Sequence, residues 1–476
     1  MPDFSPQDIQ QIQQHGLTLD IVTQQLTDFQ NGFPYAHIVS PATIGNGVLP
    51  MLDKTYADYY DAHKDTYKIV KFVPASGAAT RMFKDLFEFL STDTMNNATQ
   101  RVLDNLTDFA FYPELQKILP ENPTPRDIIE CIVTERGLNY GNMPKALIQT
   151  HKYPDANRIA MAEHLVEGAQ YASANGNVNI HFTVSPEHRP GFQNALTQLL
   201  PKYESRYGVK YTVTMSTQKP ETDTIAVNLD NTPFRNPDGT LLFRPAGHGA
   251  LIENLNDING DIIYIKNIDN VCPDTMRANT ILHKKALAGL AIQTQKKIFD
   301  YMRTLDNNTA DIAEIRTFIN DTLGIKITPD TNVRAILNRP LRVCGIIKNT
   351  GEPGGGPFWV AAPNGTTGLQ IVEPGQIAPE NMHILKNGEF FSPTDLICMP
   401  YDYMGNKFDL IKYIDVTAGF ISEKSKNGHA LRAMERPGLW NGAMAEWNTI
   451  FVEVPLDTFT PIKVVTDLLN PSHQGK

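Results

Sequence analysis

The apolar positions of this 476-residue chain change spacing along its length, and each spacing predicts an element. Near the N-terminus Ser5 is placed to cap a helix, Pro6 suits its first position, Asp8 falls in its first turn and Gly16 can end it. A second helical stretch surrounds Ile21, Leu26 and Phe29, and turn signals at Asn31-Gly32 and Gly45-Asn46-Gly47 punctuate the mixed segment 32–66. The texture changes at residue 67. Tyr67-Lys68-Ile69-Val70-Lys71-Phe72-Val73 is rich in β-branched and aromatic residues and predicts a strand. Pro74-Ala75-Ser76-Gly77-Ala78-Ala79-Thr80 predicts a tight turn of small residues, after which Met82, Phe83, Leu86, Phe87 and Leu90 share one helical face.

The alternation continues with a helix over 158–174, a strand over Val178–Ser185, a helix over 190–201 and a strand over Tyr211–Ser216. A helix near 248–256, a strand over Asp261–Asn267 and a long helix over 276–304 follow. Strands alternating with helices predict an α/β fold with a mostly parallel, doubly wound sheet covered on both faces. The last third instead shows short strands at Leu341–Ile347, Leu369–Val372 and Ile450–Val454, and a loop rich in glycine and proline at Gly351–Pro357. The expected division is a helical segment over 1–66, an α/β core over 67–335 and a smaller α+β part over 336–476.

Composition adds exclusions. Hydrophobic residues make up 41% of the chain and charged residues 20%, enough apolar matter for a sizeable core. The net charge of −10 argues against non-specific binding to nucleic acid or anionic membranes, while leaving room for a locally basic cleft. Cys131, Cys272, Cys344 and Cys398 lie far apart, which predicts free thiols in place of a disulfide framework or a zinc site. The polar start Met1-Pro2-Asp3-Phe4-Ser5 has no signal-peptide profile, and no apolar run reaches the ~20 residues of a bilayer span. The expectation is a cytoplasmic enzyme.

Five short segments carry candidate chemistry. Ser76-Gly77-Ala78-Ala79-Thr80-Arg81 follows a strand, so its small residues and the next helix start suit a phosphate, with Arg81 adding a charged fork; packing of a βα turn is the plainer reading. It is neither a P-loop nor a dinucleotide fingerprint. Pro144-Lys145 either projects an ammonium into a cleft or is a surface lysine. Gly247-His248-Gly249 suggests a close backbone approach or a simple turn. Asp269-Asn270 lies just past a strand's C-terminal end, where open α/β sheets bind ligands and where one Asp plus phosphates can hold Mg²⁺; it also reads as a turn. Phe459-Thr460-Pro461-Ile462-Lys463 sets a lysine on a proline-stiffened segment.

Taken in order, these segments resemble the motifs of nucleotidyltransferases of the UDP-sugar pyrophosphorylase type, in particular the UDP-N-acetylhexosamine pyrophosphorylase branch. The resemblance runs over about residues 67–465. It matches the family's first glycine-rich turn to Ser76–Arg81, its Pro-Lys to Pro144-Lys145, its F-x-Q to Ser216-Thr217-Gln218 and its later Asp-Gly to Asp238-Gly239. G-N-G falls on Gly247-His248-Gly249, V-D-N on Ile268-Asp269-Asn270, the sugar-contacting V-E-Y-S-E on Val372–Gln376 after Gly345, and F-S-P-L-K on Phe459–Lys463. Ser76 and Ala79 replace glycines, His248 an asparagine, and Pro374 and Gln376 a Tyr and a Glu. The chain also resembles a bacterial family of unknown function, marked by Thr350-Gly351-Glu352-Pro353-Gly354-Gly355-Gly356-Pro357-Phe358-Trp359.

The resemblance implies a GT-A-like nucleotide-diphospho-sugar transferase fold and transfer of a nucleoside monophosphate to a sugar 1-phosphate with release of pyrophosphate. UTP is the nucleotide it points to. It implies catalytic roles for Arg81, Lys145 and Lys463, and nucleotide contacts from Ser76, Gly77, Ala78, Ala79, Thr80, Gln218, Gly247, His248 and Gly249. It further implies sugar contacts from Gly345, Glu373 and Asn270, and Mg²⁺ on Asp269. The rival readings are an inactive nucleotide- or sugar-binding protein of the same fold, and a nucleotidyltransferase acting on a non-sugar phosphate.

Overall fold

The first sequence signals appear as helix Pro6–Gln14, closed by a capping box. The Ser5 hydroxyl accepts the Asp8 amide, and the Asp8 carboxylate accepts the Ser5 amide. Asp8 is buried and grips both arms of the Arg235 guanidinium at 2.7 and 2.9 Å, which holds its carboxyl well below the usual carboxylate range. The second expected helix is Leu19–Asn31, capped by Thr18. The computed structural model describes residues 4–352, 354–426 and 428–475. The Met1-Pro2-Asp3 start and Pro353 of the glycine-rich segment lie outside the described residues.

The chain forms two compact units, neither of them one continuous stretch. One comprises Met1–Met51, Gln218–Asn259 and Leu290–Glu453; the second comprises Leu52–Thr217, Gly260–Gly289 and Val454–Lys476. The architecture is mixed α/β, with parallel and antiparallel strand pairs.

In the second unit the expected strands become Ile69–Pro74, Asn177–Thr183, Lys210–Ser216 and Ile262–Lys266. All four are parallel. Ile262–Lys266 pairs with Ile69–Pro74, which pairs with Asn177–Thr183, which pairs with Lys210–Ser216. Numbered by chain position, the order is therefore 4-1-2-3, and the direction of winding reverses beside the first strand. Helix Ala160–Tyr171 is buried along nearly its whole length, and Arg189–Tyr207 runs through Pro201 to a left-handed Gly208, six residues beyond the expected end. Helices that the sequence pattern does not predict include Lys54–His63, Asn97–Asp104, Tyr112–Gln116 and Pro125–Val133; the last has a capping box from Thr124 and Asp127 with Pro125 at its start.

In the first unit, Leu341–Lys348 pairs in parallel with Asn448–Glu453 and antiparallel with Phe390–Met399. A smaller antiparallel sheet joins Ile38–Pro41, Gly356–Ala361, Thr367–Val372 and Ile325–Lys326. The expected loop at 351–357 thus gives way to a strand at Gly356. Phe390–Met399, buried throughout, has no alternating signature and contains Pro393. A bulge accommodates the proline: Gly345 faces Asp395 but Ile347 faces Phe391, and Thr394 has a φ of 60°. All four cysteines are free and buried. Among the described residues no helix is long and apolar enough to cross a membrane.

Candidate functional site

Within the second unit, the reversal of winding lies between Ile69–Pro74 and Ile262–Lys266, and the crevice at the carboxyl ends of such strands is where open α/β sheets take ligands. The first strand runs into Ala75–Arg81. Ser185 Oγ donates to the Ser76 carbonyl at 2.8 Å, and Thr80 Oγ1 donates to the Gly141 carbonyl at 3.0 Å. Gly77, Ala78, Thr80 and Arg81 are exposed. Helix Lys84–Thr92 starts two residues later than its periodicity predicts, because Ala79–Arg81 forms a 3₁₀ turn first. The Ala79 amide donates to the Met143 carbonyl at 2.9 Å, so it is already engaged. The Ala79 methyl is fully buried among Met82, Phe83, Tyr140 and Ile462, and therefore faces the core and not the exposed side of the loop.

Three other segments meet this loop. Ala78 forms a bridge with Pro144, which places Lys145 beside it. Lys145 Nζ donates to Asp269 Oδ2 at 2.8 Å and to the Ile462 carbonyl at 2.8 Å. Asp269 returns the contact through its own carbonyl, which accepts the Ile462 amide at 2.9 Å, and the Val465 amide donates to the Met82 carbonyl at 3.0 Å. Arg81, Lys145, Asp269 and Lys463 thus come from four parts of the sequence and stand on directly bonded segments, with Lys145 paired to the Asp269 carboxylate. Lys463 Nζ lies 5.8 Å from the Phe459 ring centroid, and its amide donates to Asp467.

Asn270 is buried and acts on the same segments from behind. Its Oδ1 accepts the Thr460 amide at 3.0 Å, while Thr460 Oγ1 donates to the Val271 carbonyl at 2.9 Å. His473 holds the Pro461 backbone and meets His151 Nε2 at 3.0 Å; His151 Nδ1 meets Glu163 Oε1 at 2.9 Å. Burial, and after it the charge of His151, pushes the His473 imidazole down to about 3. Unfolded, the same ring takes its proton near 6.5. Between these values the unfolded chain holds the extra proton, so this contribution is complete above about 6.5 and is lost as pH falls toward 3. Melting curves between about pH 7 and about pH 4 should show a falling Tm, and His473→Phe should flatten that slope even if it lowers Tm throughout.

Two buried charge clusters that the sequence pattern did not reveal sit under the site, both built on helix Ala160–Tyr171. Glu163 binds Arg277 and Arg158, and Arg158 also forks onto Asp274. One turn on, Glu167 takes Lys71 at 2.8 Å, Lys266 at 2.7 Å and the Tyr171 hydroxyl at 2.9 Å. Burial opposes the Glu167 charge, but the two ammonium groups outweigh it and hold the carboxyl well below its usual range. His164, between the two acids, reaches the Ile268 carbonyl at 3.1 Å and so ties this helix to the turn carrying Asp269.

The remaining candidates belong to the first unit. The Leu439 amide donates to His248 Nδ1 at 2.9 Å, which leaves the ring proton on Nε2, 3.4 Å from Glu373 Oε1. The His248 and Trp440 rings stack at 4.0 Å with 9° between their planes, and Trp440 Nε1 donates to Glu373 Oε1 at 3.2 Å. Burial raises the Glu373 carboxyl, but the His248 and Trp440 contacts outweigh it and the net direction is down. The close approach expected at Gly249 is to the protein's own backbone, since a Cβ there would stand 2.2 Å from the Pro437 carbonyl oxygen. Gly355 plays the same part beside Glu373, whose Cγ lies 3.1 Å from where a Cβ would be. Gln376 is buried and accepts both the Glu373 amide and Asn441 Nδ2. Gly345 is buried in mid-strand opposite Asp395, and the Gln218 amide donates to Asp223 Oδ1 at 3.2 Å. Neither has a contact with the His248–Glu373 cluster among the hydrogen bonds of the described residues.

Residues 5–474 match the family described as "Domain of unknown function (DUF4301)". No curated protein matches the sequence. Among solved structures, a variant of the UDP-glucose pyrophosphorylase from Leishmania major is similar with a TM-score of 0.50 at 11% identity, covering 98% of this chain and 79% of that one. The uridine diphosphate N-acetylglucosamine pyrophosphorylase from Trypanosoma brucei, in complex with an inhibitor, is similar with a TM-score of 0.50 at 11% identity, covering 94% and 74%. At such identity the likeness is one of fold, and it agrees with the family to which the sequence motifs pointed.

Proposed function

The chain belongs to the DUF4301 family, and from that premise we propose that it is a nucleotidyltransferase that moves a nucleoside monophosphate from a nucleoside triphosphate to a sugar 1-phosphate. The observation that carries this reading is the meeting of the segments that bear Arg81, Lys145, Asp269 and Lys463, with the Lys145–Asp269 pair at their junction, beside the winding reversal of a parallel sheet. The fold is read as GT-A-like and the protein as cytoplasmic, with UTP as the first nucleotide to try.

In the proposed reaction an oxygen of the acceptor phosphate attacks the α-phosphorus in line, the bond from that phosphorus to the β-phosphate bridge breaks, and pyrophosphate leaves with the electron pair. A phosphate monoester is already anionic at neutral pH, so no base is needed. The work left to the protein is to bring two polyanions together and stabilise the charge that spreads in the transition state. The exposed loop Ser76–Thr80 and the Arg81 guanidinium take the triphosphate, Lys145 the α-phosphate and the departing pyrophosphate, and Lys463 the acceptor phosphate. Gln218, Gly247, His248 and Gly249 are assigned the nucleobase, and Gly345 and Glu373 the sugar. Asn270 is assigned to the sugar side through the segment it holds. Residues 67–335 thus divide from 336–476 by role, nucleotide against acceptor, with 1–66 serving as a helical support.

Asp269 offers one carboxylate, and among the described residues no three His, Cys, Asp or Glu side chains group closely enough to hold a metal. These residues fit Mg²⁺ only as a site completed by phosphate oxygens and water, which is how that ion is commonly held. Bound there, Mg²⁺ would supply charge neutralisation on the phosphates.

An array of nucleoside triphosphates against sugar 1-phosphates, other phosphorylated sugars and phosphorylated alditols, read by pyrophosphate release, tests the reading. Release with a sugar 1-phosphate supports it. Release with non-sugar acceptors alone supports the second reading of the acceptor, which the engagement of Glu373 by His248 and Trp440 favours. Nucleotide binding without release on any pair overturns catalysis. The Ala79 methyl gives no support to an inactive protein, since it packs in the core.

A further inference from the structure

A second opening lies wholly within the first unit and is unused by the proposed reaction. It is a cleft of about 590 Å³, a size typical of small-molecule sites, lined in part by Tyr35, Arg339, Gln376, Asn441, Glu446 and Trp447. Arg339 is the unusual member. Among the described residues no oxygen accepts a hydrogen bond from its guanidinium and no carboxylate stands within 4 Å of it; burial weighs on its charge, with Glu446 the strongest compensating influence. Several arginines deeper in the fold do have protein acceptors. Arg158 and Arg277 are held by carboxylates, and Arg342 donates to Thr449 Oγ1 and the Trp440 carbonyl. A guanidinium stays charged at any physiological pH and brings five donors in a planar fork. The Arg339 fork is partly withdrawn from water, and a ligand's oxygens would take donors that no protein oxygen takes.

We infer that this cleft binds a small organic anion carrying hydroxyl groups, its carboxylate or phosphate on the Arg339 fork. Glu446 on the same wall disfavours a bare inorganic anion and favours a ligand whose hydroxyls donate to it. Gln376 and Asn441 form part of this wall, and Gln376 Oε1 accepts both Asn441 Nδ2 and the Glu373 amide, so the cleft adjoins the His248–Glu373 cluster through bonded residues. The inference does not depend on the proposed transfer reaction.

Calorimetric titration of the full chain with gluconate and with glycerol 3-phosphate, against glucose and glycerol as uncharged controls, tests it. At least one anion should bind saturably at millimolar concentration while the controls do not, and the stronger of the two identifies carboxylate or phosphate as the anionic group. Arg339→Gln should weaken that binding by about tenfold or more, and Lys463→Ala should leave it unchanged. Ligand-free Arg339→Gln should melt at the same temperature as the parent, because no protein acceptor of the guanidinium is lost. The inference is overturned if neither anion binds, if the controls bind equally, or if Arg339→Gln binds like the parent. It is equally overturned if Lys463→Ala abolishes binding, or if Arg339→Gln melts lower, which would reveal a structural partner for the guanidinium.

Discussion

Lys145→Ala is expected to slow pyrophosphate release by about 10²-fold or more on the best substrate pair, with the loss in kcat rather than KM. The reason is the position of the ammonium. It sits on Asp269 and on the Ile462 carbonyl at once, at the mouth of the crevice, so one removal takes away a cation and loosens the contact between two bonded segments. Lys145→Ala and Asp269→Asn should not add in the double variant, because the two groups form one hydrogen-bonded unit. A loss confined to KM would place Lys145 in ground-state binding and take it out of the charge-stabilising set. Circular dichroism and a melting curve separate this from misfolding, since the lysine is only partly buried.

Glu167→Ala is expected to cost about 3–5 kcal/mol of stability, enough to leave many domains unfolded. The carboxylate is the only described acid bonded to both Lys71 and Lys266, and all three side chains are buried. Without it two ammonium groups face each other out of water. Urea denaturation should show a lower midpoint, and Glu167→Gln should fall between the two. Replacing all three residues by apolar side chains of similar size should recover most of the loss, because the cost lies in unpaired charge and not in lost volume. A Glu167→Ala variant as stable as the parent would mean that water reaches these lysines.

The same cluster shows where the sequence stops being legible. Lys71 interrupts an apolar strand and looks like a surface position. Its partner, Glu167, stands 96 residues later on a helix that is apolar on every face except for the acids it buries. Pairing over that distance leaves no local periodicity to read. The strand Phe390–Met399 was hidden differently, since Pro393 normally argues against a central strand and only the bulge facing Gly345 makes room for it. Helix Pro125–Val133 and the hairpin of Phe420–Lys426 with His429–Glu435 carry only short local signals, Thr124-Pro125 and Asn427-Gly428, which lie outside the long strand–helix alternation. The four core strands and the helices between them were legible because each has a strong local period and a capped or glycine-marked end. The convergence of residues 81, 145, 269 and 463 could not be read from any one segment; it came from the order of weak motifs, and the parallel sheet explains it by bringing distant loops to one edge. The glycines at 247 and 249 suggest a close backbone approach or a turn, and those at 354–356 a loop. Those at 249 and 355 have protein atoms as the neighbour they admit, a distinction that one sequence does not contain.

The central claim is that the α-phosphorus is passed to an acceptor phosphate, and following a label on that phosphorus tests it most directly. With nucleoside triphosphate labelled at the α-position, the account predicts that the label moves into a product joining nucleotide to acceptor, that the released pyrophosphate is unlabelled, and that neither appears when the acceptor is left out. Label that stays in the triphosphate with every acceptor, or that emerges as free nucleoside monophosphate whether or not an acceptor is present, would contradict it.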